Sequence, residues 1–214
     1  MRSKFDEQLA LLSRELTQMG ALCEEVIALA AKSITTGDVA IAEKVAPLDG
    51  EIDRMEHSIE ALCLKLLLQQ QPVARDLRQI SAALKMITDM ERIGDQAEDI
   101  AEIIKFLNGR TVENGALIRE MASAAIKMVT ESVDAFVKHD IMLAEKVVSD
   151  DYIVDRYFDQ VKQKLIERIA QQPADGEYAL DLLMIAKYFE RIGDHAVNLA
   201  EWVIFSVTGV HKEE

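Results

Sequence analysis

Two stretches of the 214-residue chain carry the side chains best suited to chemistry, MERIGDQAEDIAE at Met90–Glu102 and FERIGDHAVNLAE at Phe189–Glu201. Their shared core, ERIGD, recurs at a spacing of 99 residues. Each copy sets a glutamate four residues before an aspartate: Glu91 with Asp95, and Glu190 with Asp194. On a helix such a pair shares one face, with Cβ atoms about 5–6 Å apart. Like charges so placed are mildly destabilising, by roughly a few tenths of a kcal/mol. A cation is needed to offset them, either a basic side chain or a bound ion.

A second set of pairs lies upstream in each half. LDGEID places Asp49 and Asp53 four apart, and DDYIVD places Asp151 and Asp155 four apart. Asp49 and Asp53 sit just beside an apolar seam through Leu48 and Ile52, at the edge of a helix face. If the edge bearing Glu91 and Asp95 lies alongside, four carboxylates converge on a groove, and the same holds in the second half. Asp99 continues the ridge beyond Asp95, Asn198 takes the matching place in the second half, and Asp159 extends Asp155. Oxygen-only ligation suits hard ions such as Ca²⁺, Mg²⁺, Mn²⁺ and Fe³⁺. The expected cofactor is therefore a metal ion with oxygen ligands: iron, manganese, magnesium, calcium or zinc.

Spacing alone leaves a rival reading open. Arg92 and Arg191 follow the two glutamates and could pair with acids of a neighbouring helix, making ERIGD a salt-bridged structural motif. Gly94 and Gly193 each cost a helix interior about 1 kcal/mol, which points to close approach by a neighbouring helix under either reading. His195 and His57 adjoin the acidic ridges, but a solvated or capped histidine is the plainer expectation for each.

Positioning these pairs calls for long helices. Three prolines and nine glycines punctuate a chain that is 50% hydrophobic, which favours helices over a sheet with many turns. Phe5, Leu9, Leu12, Leu16, Met19, Cys23, Val26 and Ala30 trace one helical seam that stops at Gly37 and Asp38. Ile41 to Leu66 trace a second, with Pro47 marking a kink or a short preceding turn. A third helix runs from Pro72 to about Leu107. NGRTVENG then reads as a linker, and the order repeats: about Ala116 to Lys138, Ile141 to Gln171, and Glu177 to Val207. IAEKV and LAEKV recur at an offset of 102, and QQP at 101. The spacing predicts an all-α protein of two tandem three-helix bundles, 1–108 and 112–210, with a tail at 211–214. Each helix is expected to bury its stripe against the other two of its own bundle.

The net charge of −14 disfavours nucleic acid and anionic lipid, and no apolar run approaches the roughly 20 residues of a membrane span. Neither nucleic-acid binding nor membrane insertion is expected, and the N-terminus lacks the apolar core of a signal peptide. A cytoplasmic location follows. Cys23 and Cys63 fall on apolar faces and read as buried free thiols. One basic stretch is not duplicated: Arg75, Asp76 and Arg78 open the third helix, where PADGEYAL, its counterpart, has no arginine. It reads either as a solvated first turn or as a docking spot for a partner or an anion.

Paired three-helix bundles, the doubled ERIGD with its tail, and ARDLR at the start of the third helix together resemble the PhoU family over essentially the whole chain. The family's acidic motifs bind metal ions, and they map onto Asp49, Asp53, Glu91, Asp95, Asp151, Asp155, Glu190 and Asp194. The resemblance implies a regulator, not an enzyme. Such a protein restrains high-affinity phosphate uptake and the phosphate-starvation response by contacting the phosphate transporter's ATPase subunit and a membrane sensor histidine kinase. It also implies a homodimer or higher oligomer. The alternatives are a metal-dependent phosphohydrolase and a purely structural helical interaction module. A di-iron oxidase would need Glu-x-x-His pairs, and none of the four histidines has a glutamate three residues before it.

Overall fold

The structure, a computed structural model, describes residues 2–70, 72–107, 110 and 115–210. Six long helices dominate: α1 (Arg2–Thr36), α3 (Val45–Gln70), α4 (Ala74–Phe106), α5 (Gly115–Lys138), α6 (Ile141–Gln171) and α7 (Gly176–Thr208). A short α2 (Val39–Ala42) and a 3₁₀ turn at Pro173–Asp175 complete the described secondary structure, with no strand among the described residues. Of the expected boundary at 108–112 only Arg110 is described, and the tail at 211–214 lies outside the described residues.

Local chemistry accounts for most helix ends. Asp38 accepts the amide of Ala40 at 2.9 Å, and Asp140 accepts that of Leu143 at 3.0 Å. Each relieves one of the unsatisfied donors in a first turn. Pro47 is the third residue of α3, where its missing N–H removes no helical bond. The turn expected before it is α2. Gly209 ends α7 with φ 76°, a left-handed cap that glycine adopts without a steric penalty.

The α1 seam is buried as expected, with Leu12, Leu16, Met19, Cys23, Val26 and Ala30 inaccessible and Leu9 packed at its margin. Cys23 and Cys63 are buried free thiols. Fully burying such an apolar side chain stabilises the fold by roughly 1.5–3 kcal/mol before entropy is counted.

The six long helices form the two tandem three-helix bundles expected, but they do not bury their stripes only within their own bundle. The most extensive helix–helix contact is α4 against α7, one from each half, and α1 packs on α5 in the same way. The four form the middle of the molecule, while α3 covers α1 and α4 on one flank and α6 covers α5 and α7 on the other. The reason lies in the number of buried stripes. On α4 the buried positions extend from Gly94, which faces α3, round through Ile93 to Gln96, and on α7 from Gly193, which faces α6, round through Ile192 and Leu199, an arc too wide for the partners of one half to cover.

The α4–α7 packing is antiparallel. Asp89 of α4 meets His195 and Asn198 of α7, while Asp99, later on α4, is hydrogen bonded by Tyr188, earlier on α7. The 99-residue repeat pairs Asp89 with Tyr188 and Asp99 with Asn198, so the two contacts are images of one another about a local two-fold axis. The halves are thus joined as a symmetric dimer would be.

We expect residues 1–108 expressed alone to expose the apolar α4 and α1 faces that α7 and α5 cover. Size-exclusion chromatography should find self-associated or aggregated material. A stable monomeric half with a cooperative melt would contradict this account of the core.

Candidate metal centres

Asp49 lies one residue beyond the partly buried Leu48, yet is itself buried, at 6% exposure. It points onto α4 at Gly94, where a Cβ would stand 2.3 Å from its Oδ1. Only a glycine admits it. The Oδ1 atom is buried and has no hydrogen-bond partner. Burial, and then the charges of Asp53, Glu98, Asp95 and Glu91, push the Asp49 carboxyl up to about 7. Glu91 is raised as well, first by burial and then by Asp95. The structure therefore brings Asp49, Asp53, Glu91 and Asp95 into one acidic groove between α3 and α4.

Glu98 belongs with them and was absent from the sequence-based set. Its carboxyl is raised by burial and then by Glu102 and Asp95. Helical phase would have found it: seven residues past Glu91 it lies only about 20° away around the axis. Asp99, eight residues past Glu91, has drifted about 80°. That drift takes Asp99 out of the groove and onto Tyr188 of α7. Asn198 likewise leaves the second groove and donates to Asp89 at 3.0 Å. His195, whose Nδ1 is 2.9 Å from the same Asp89 oxygen, serves the interface as well. His57 is exposed, its Nδ1 2.8 Å from the Asp53 carbonyl.

The second groove repeats the first in a looser form. Asp151 faces Gly193, where a Cβ would find its Oδ1 at 3.4 Å. Burial, then Asp155, Asp194 and Glu190, push the Asp151 carboxyl up to about 6. Asp194 is raised by burial and then by Glu190. Asp155 is exposed, and Asp159 is held by Lys162 at 3.0 Å, away from the groove.

Each groove already has a basic neighbour. Arg92 could have paired with a neighbouring helix, but its guanidinium folds back along α4 to Asp95 at 2.9 Å and Glu91 at 3.4 Å. Its five donors reach acids on both sides of it. Lys187 binds Glu190 in the second groove. Among the described residues no three Asp, Glu, His or Cys side chains are already arranged to hold a metal ion. The donor chemistry nonetheless fits a hard cation. The Asp49 Oδ1 is buried without a partner, and Glu91 Oε2 is buried with no hydrogen bond, only the longer Arg92 contact. Arg92 and Lys187 mark where positive charge is wanted. An ion would be held by Asp49, Asp53, Glu91, Asp95 and Glu98 in the first half, and by Asp151, Asp155, Glu190 and Asp194 in the second.

The basic stretch that opens α4 is divided. Arg78 donates to the Ser206 carbonyl at 3.4 Å and packs against Gly209, so it serves the carbonyl end of α7. Arg75 is exposed, and Asp76 is half-buried.

A helical chain folded from two like halves, with a carboxylate groove between the second and third long helices of each, is a duplicated helical-bundle protein. The family model described as the PhoU domain matches it twice, over residues 16–104 and 118–203. The chain belongs to the PhoU family. A phosphate-specific transport system accessory protein PhoU homolog of Pseudomonas aeruginosa is 34% identical over 208 residues, spanning 96% of this chain and 86% of that protein. PhoU homolog 1 of Thermotoga maritima is 32% identical over 212 residues, spanning 98% and 91%. The crystal structure of PhoU from Pseudomonas aeruginosa superposes with a TM-score of 0.90 at 34% identity, over 96% of this chain and all of that one (100%). The phosphate transport system regulatory protein PhoU from Streptococcus pneumoniae, at 24% identity and TM-score 0.88, shares the fold.

Two outcomes follow from the groove geometry. Gly94→Ala should destabilise the protein, because overpacking costs about 1–3 kcal/mol against a helix-propensity gain of about 1 kcal/mol. Gly193→Ala should be neutral or stabilising, because its neighbours stand at 3.3 Å or more. Chemical denaturation of the pair checks this, and equal effects would sink it. The second outcome concerns pH. A carboxyl raised in the folded state keeps its proton better than in the unfolded chain, so stability falls as pH climbs from about 4 to about 7. Metal-free protein should melt higher at pH 5 than at pH 8 through this group. Asp49→Asn should flatten that slope and raise the midpoint at pH 8.

Proposed function

We propose that the chain is a cytoplasmic, metal-binding accessory protein of phosphate transport. It restrains high-affinity phosphate uptake and the phosphate-starvation response by contacting the transporter's ATPase subunit and a membrane sensor histidine kinase. It acts without catalysis and as a homodimer. The observation that carries the metal reading is the buried, unpartnered Asp49 oxygen among four further carboxylates. Likeness to phosphate-specific transport accessory proteins over 96% of the chain supports the regulatory reading. No helix among the described residues is long and apolar enough to cross a membrane, so contact with a membrane transporter would be made through protein surfaces.

When bound, an ion would supply positive charge to the grooves and no reaction step. Asp49 and Asp151, seated over the two glycines, tie α3 to α4 and α6 to α7. Asp49 with Glu91, and Asp151 with Glu190, would hold an ion between the flanking helices and the central pair, and the proton on Asp49 would have to leave first. The sites are open to α3 and α6, the outermost helices, so occupancy alters the surface that a partner meets.

The test is metal analysis and repression together. Wild-type protein should carry metal, and Asp95→Ala/Asp194→Ala should lose it and release repression of a phosphate-starvation reporter. Equal metal content in both would end the metal reading. Loss of metal with full repression would separate metal from regulation. Metal affinity should also fall as pH drops below about 7, because the ligands must lose their protons. Arg92→Gln removes the internal competitor and should tighten binding. If ERIGD is only a salt-bridged motif, the same variant lowers stability and changes no metal content.

A further inference from the structure

Apart from the acidic grooves, the chain builds one pocket of opposite character. It lies where the first turn of α4, the α5–α6 turn and the last turn of α7 meet, and is lined by Arg75, Gln79, His139, Ser206 and Val207. No carboxylate lines it, on a chain of net charge −14. The nearby acids are committed elsewhere. Asp140 caps α6 through the Leu143 amide at 3.0 Å, and Asp134 holds Lys138 at 2.7 Å. Asp76 neighbours Arg75 in sequence, but adjacent helix positions do not share a face. The carbonyl end of α7 would be a counter-charge for Arg75, but Arg78 already donates to Ser206 there. The Ser206 hydroxyl is likewise spent on the Val203 carbonyl at 2.7 Å. Arg75, Gln79 and His139 are left as the groups able to donate into the pocket.

The backbone gives an independent reason to single out His139. Its φ is 54°, the one positive value outside glycine among the described residues. The first half solves the same turn with Gly37 at φ 67°, followed by the capping Asp38 as His139 is followed by Asp140. Glycine takes this conformation freely, whereas a side chain there is strained. The second half thus accepts strain to place an imidazole in the pocket. Burial and then the Arg75 charge disfavour the protonated ring, so an anion between the two would relieve both. The equivalent opening of α7 has no arginine, and the feature occurs once where the acidic grooves occur twice.

We propose that Arg75, Gln79 and His139 form a binding site for a phosphate group, free or as a monoester. Guanidinium and imidazole hydrogen bonds to an oxyanion are charge-assisted, and an arginine fork matches two phosphate oxygens. The amide of Gln79 adds a neutral donor. The site rests on its own residues, so its failure would leave the metal and regulatory readings intact.

Inorganic phosphate titrated into the full chain at constant ionic strength tests it, followed by NMR at residues 75–79 and at the His139 ring. Saturable shifts are expected, with sulfate competing and chloride inert. Arg75→Gln and His139→Gly should each weaken binding by about tenfold or more, the worth of one charge-assisted hydrogen bond. His139→Gly should fold at least as well as the wild type, since it restores the residue used at position 37. Glycerol phosphate forms the second arm: tighter binding than inorganic phosphate assigns the site to an esterified group, and weaker binding assigns it to the free anion. Shifts that stay linear, or that neither substitution changes, would overturn the site. Acetate saturating it as readily as phosphate would overturn the ligand class.

Discussion

The antiparallel packing of α4 on α7 is the constraint on which the rest of the molecule depends. It buries the two ERIGD helices back to back, so each groove must open on the far side, toward α3 or α6. It also supplies the polar contacts that fix helix register. Asp89 with His195 and Asn198, and Asp99 with Tyr188, lie at symmetric places along a largely apolar interface. A slip of either helix would break both sets together, leaving half-buried charges without partners, each at a cost of about 1–3 kcal/mol. The two grooves are thereby held at a fixed separation, whatever binds in them.

Close approach is the second constraint, and it works through glycine. Asp49 can sit deep because α4 has no side chain at position 94, and depth is what changes its chemistry. An exposed aspartate keeps its charge at neutral pH without help. One pressed onto a helix backbone among four other acids holds its proton up to about 7. The same residues that strain the metal-free fold are therefore those that a cation would stabilise most. Arg92 provides a partial substitute: its contacts with Glu91 and Asp95 are exposed on its own side and worth little individually. A weak internal cation at Arg92 and an unpartnered carboxyl oxygen at Asp49 are compatible features of one site.

Much of this was legible in the sequence because helices advertise themselves through periodicity. The seam of α1, the limits Ile141–Gln171 of α6, and the capping Asp38 and Asp140 all follow from spacing and local hydrogen bonding. The acidic pairs could be placed on common faces for the same reason. What was not legible depends on the third dimension. The buried arc of α4 is wider than one apolar seam, yet nothing in its spacing says that α7 covers the excess. Extending the ridge by fours to Asp99 and Asn198 failed because each step of four over-rotates by about 40°, and two steps suffice to leave a face. Arg92 was placed by sequence adjacency, whereas a long flexible side chain reaches acids one and three residues away.

The two halves have not stayed equivalent, and the differences run in both directions. The first groove has the deeper aspartate, the tighter glycine contact and the extra Glu98; the second has the more exposed Asp155 and Asp194. Conversely, the α5–α6 turn of the second half carries His139 where the first half has Gly37, beside an arginine that only α4 possesses. Duplication supplied two copies of one acidic frame, and the antiparallel packing brought the start of α4 against the end of α7. That juxtaposition exists only because the halves are joined across a two-fold axis. A basic pocket built from both halves is therefore a property of the assembled pair, and neither bundle could form it alone.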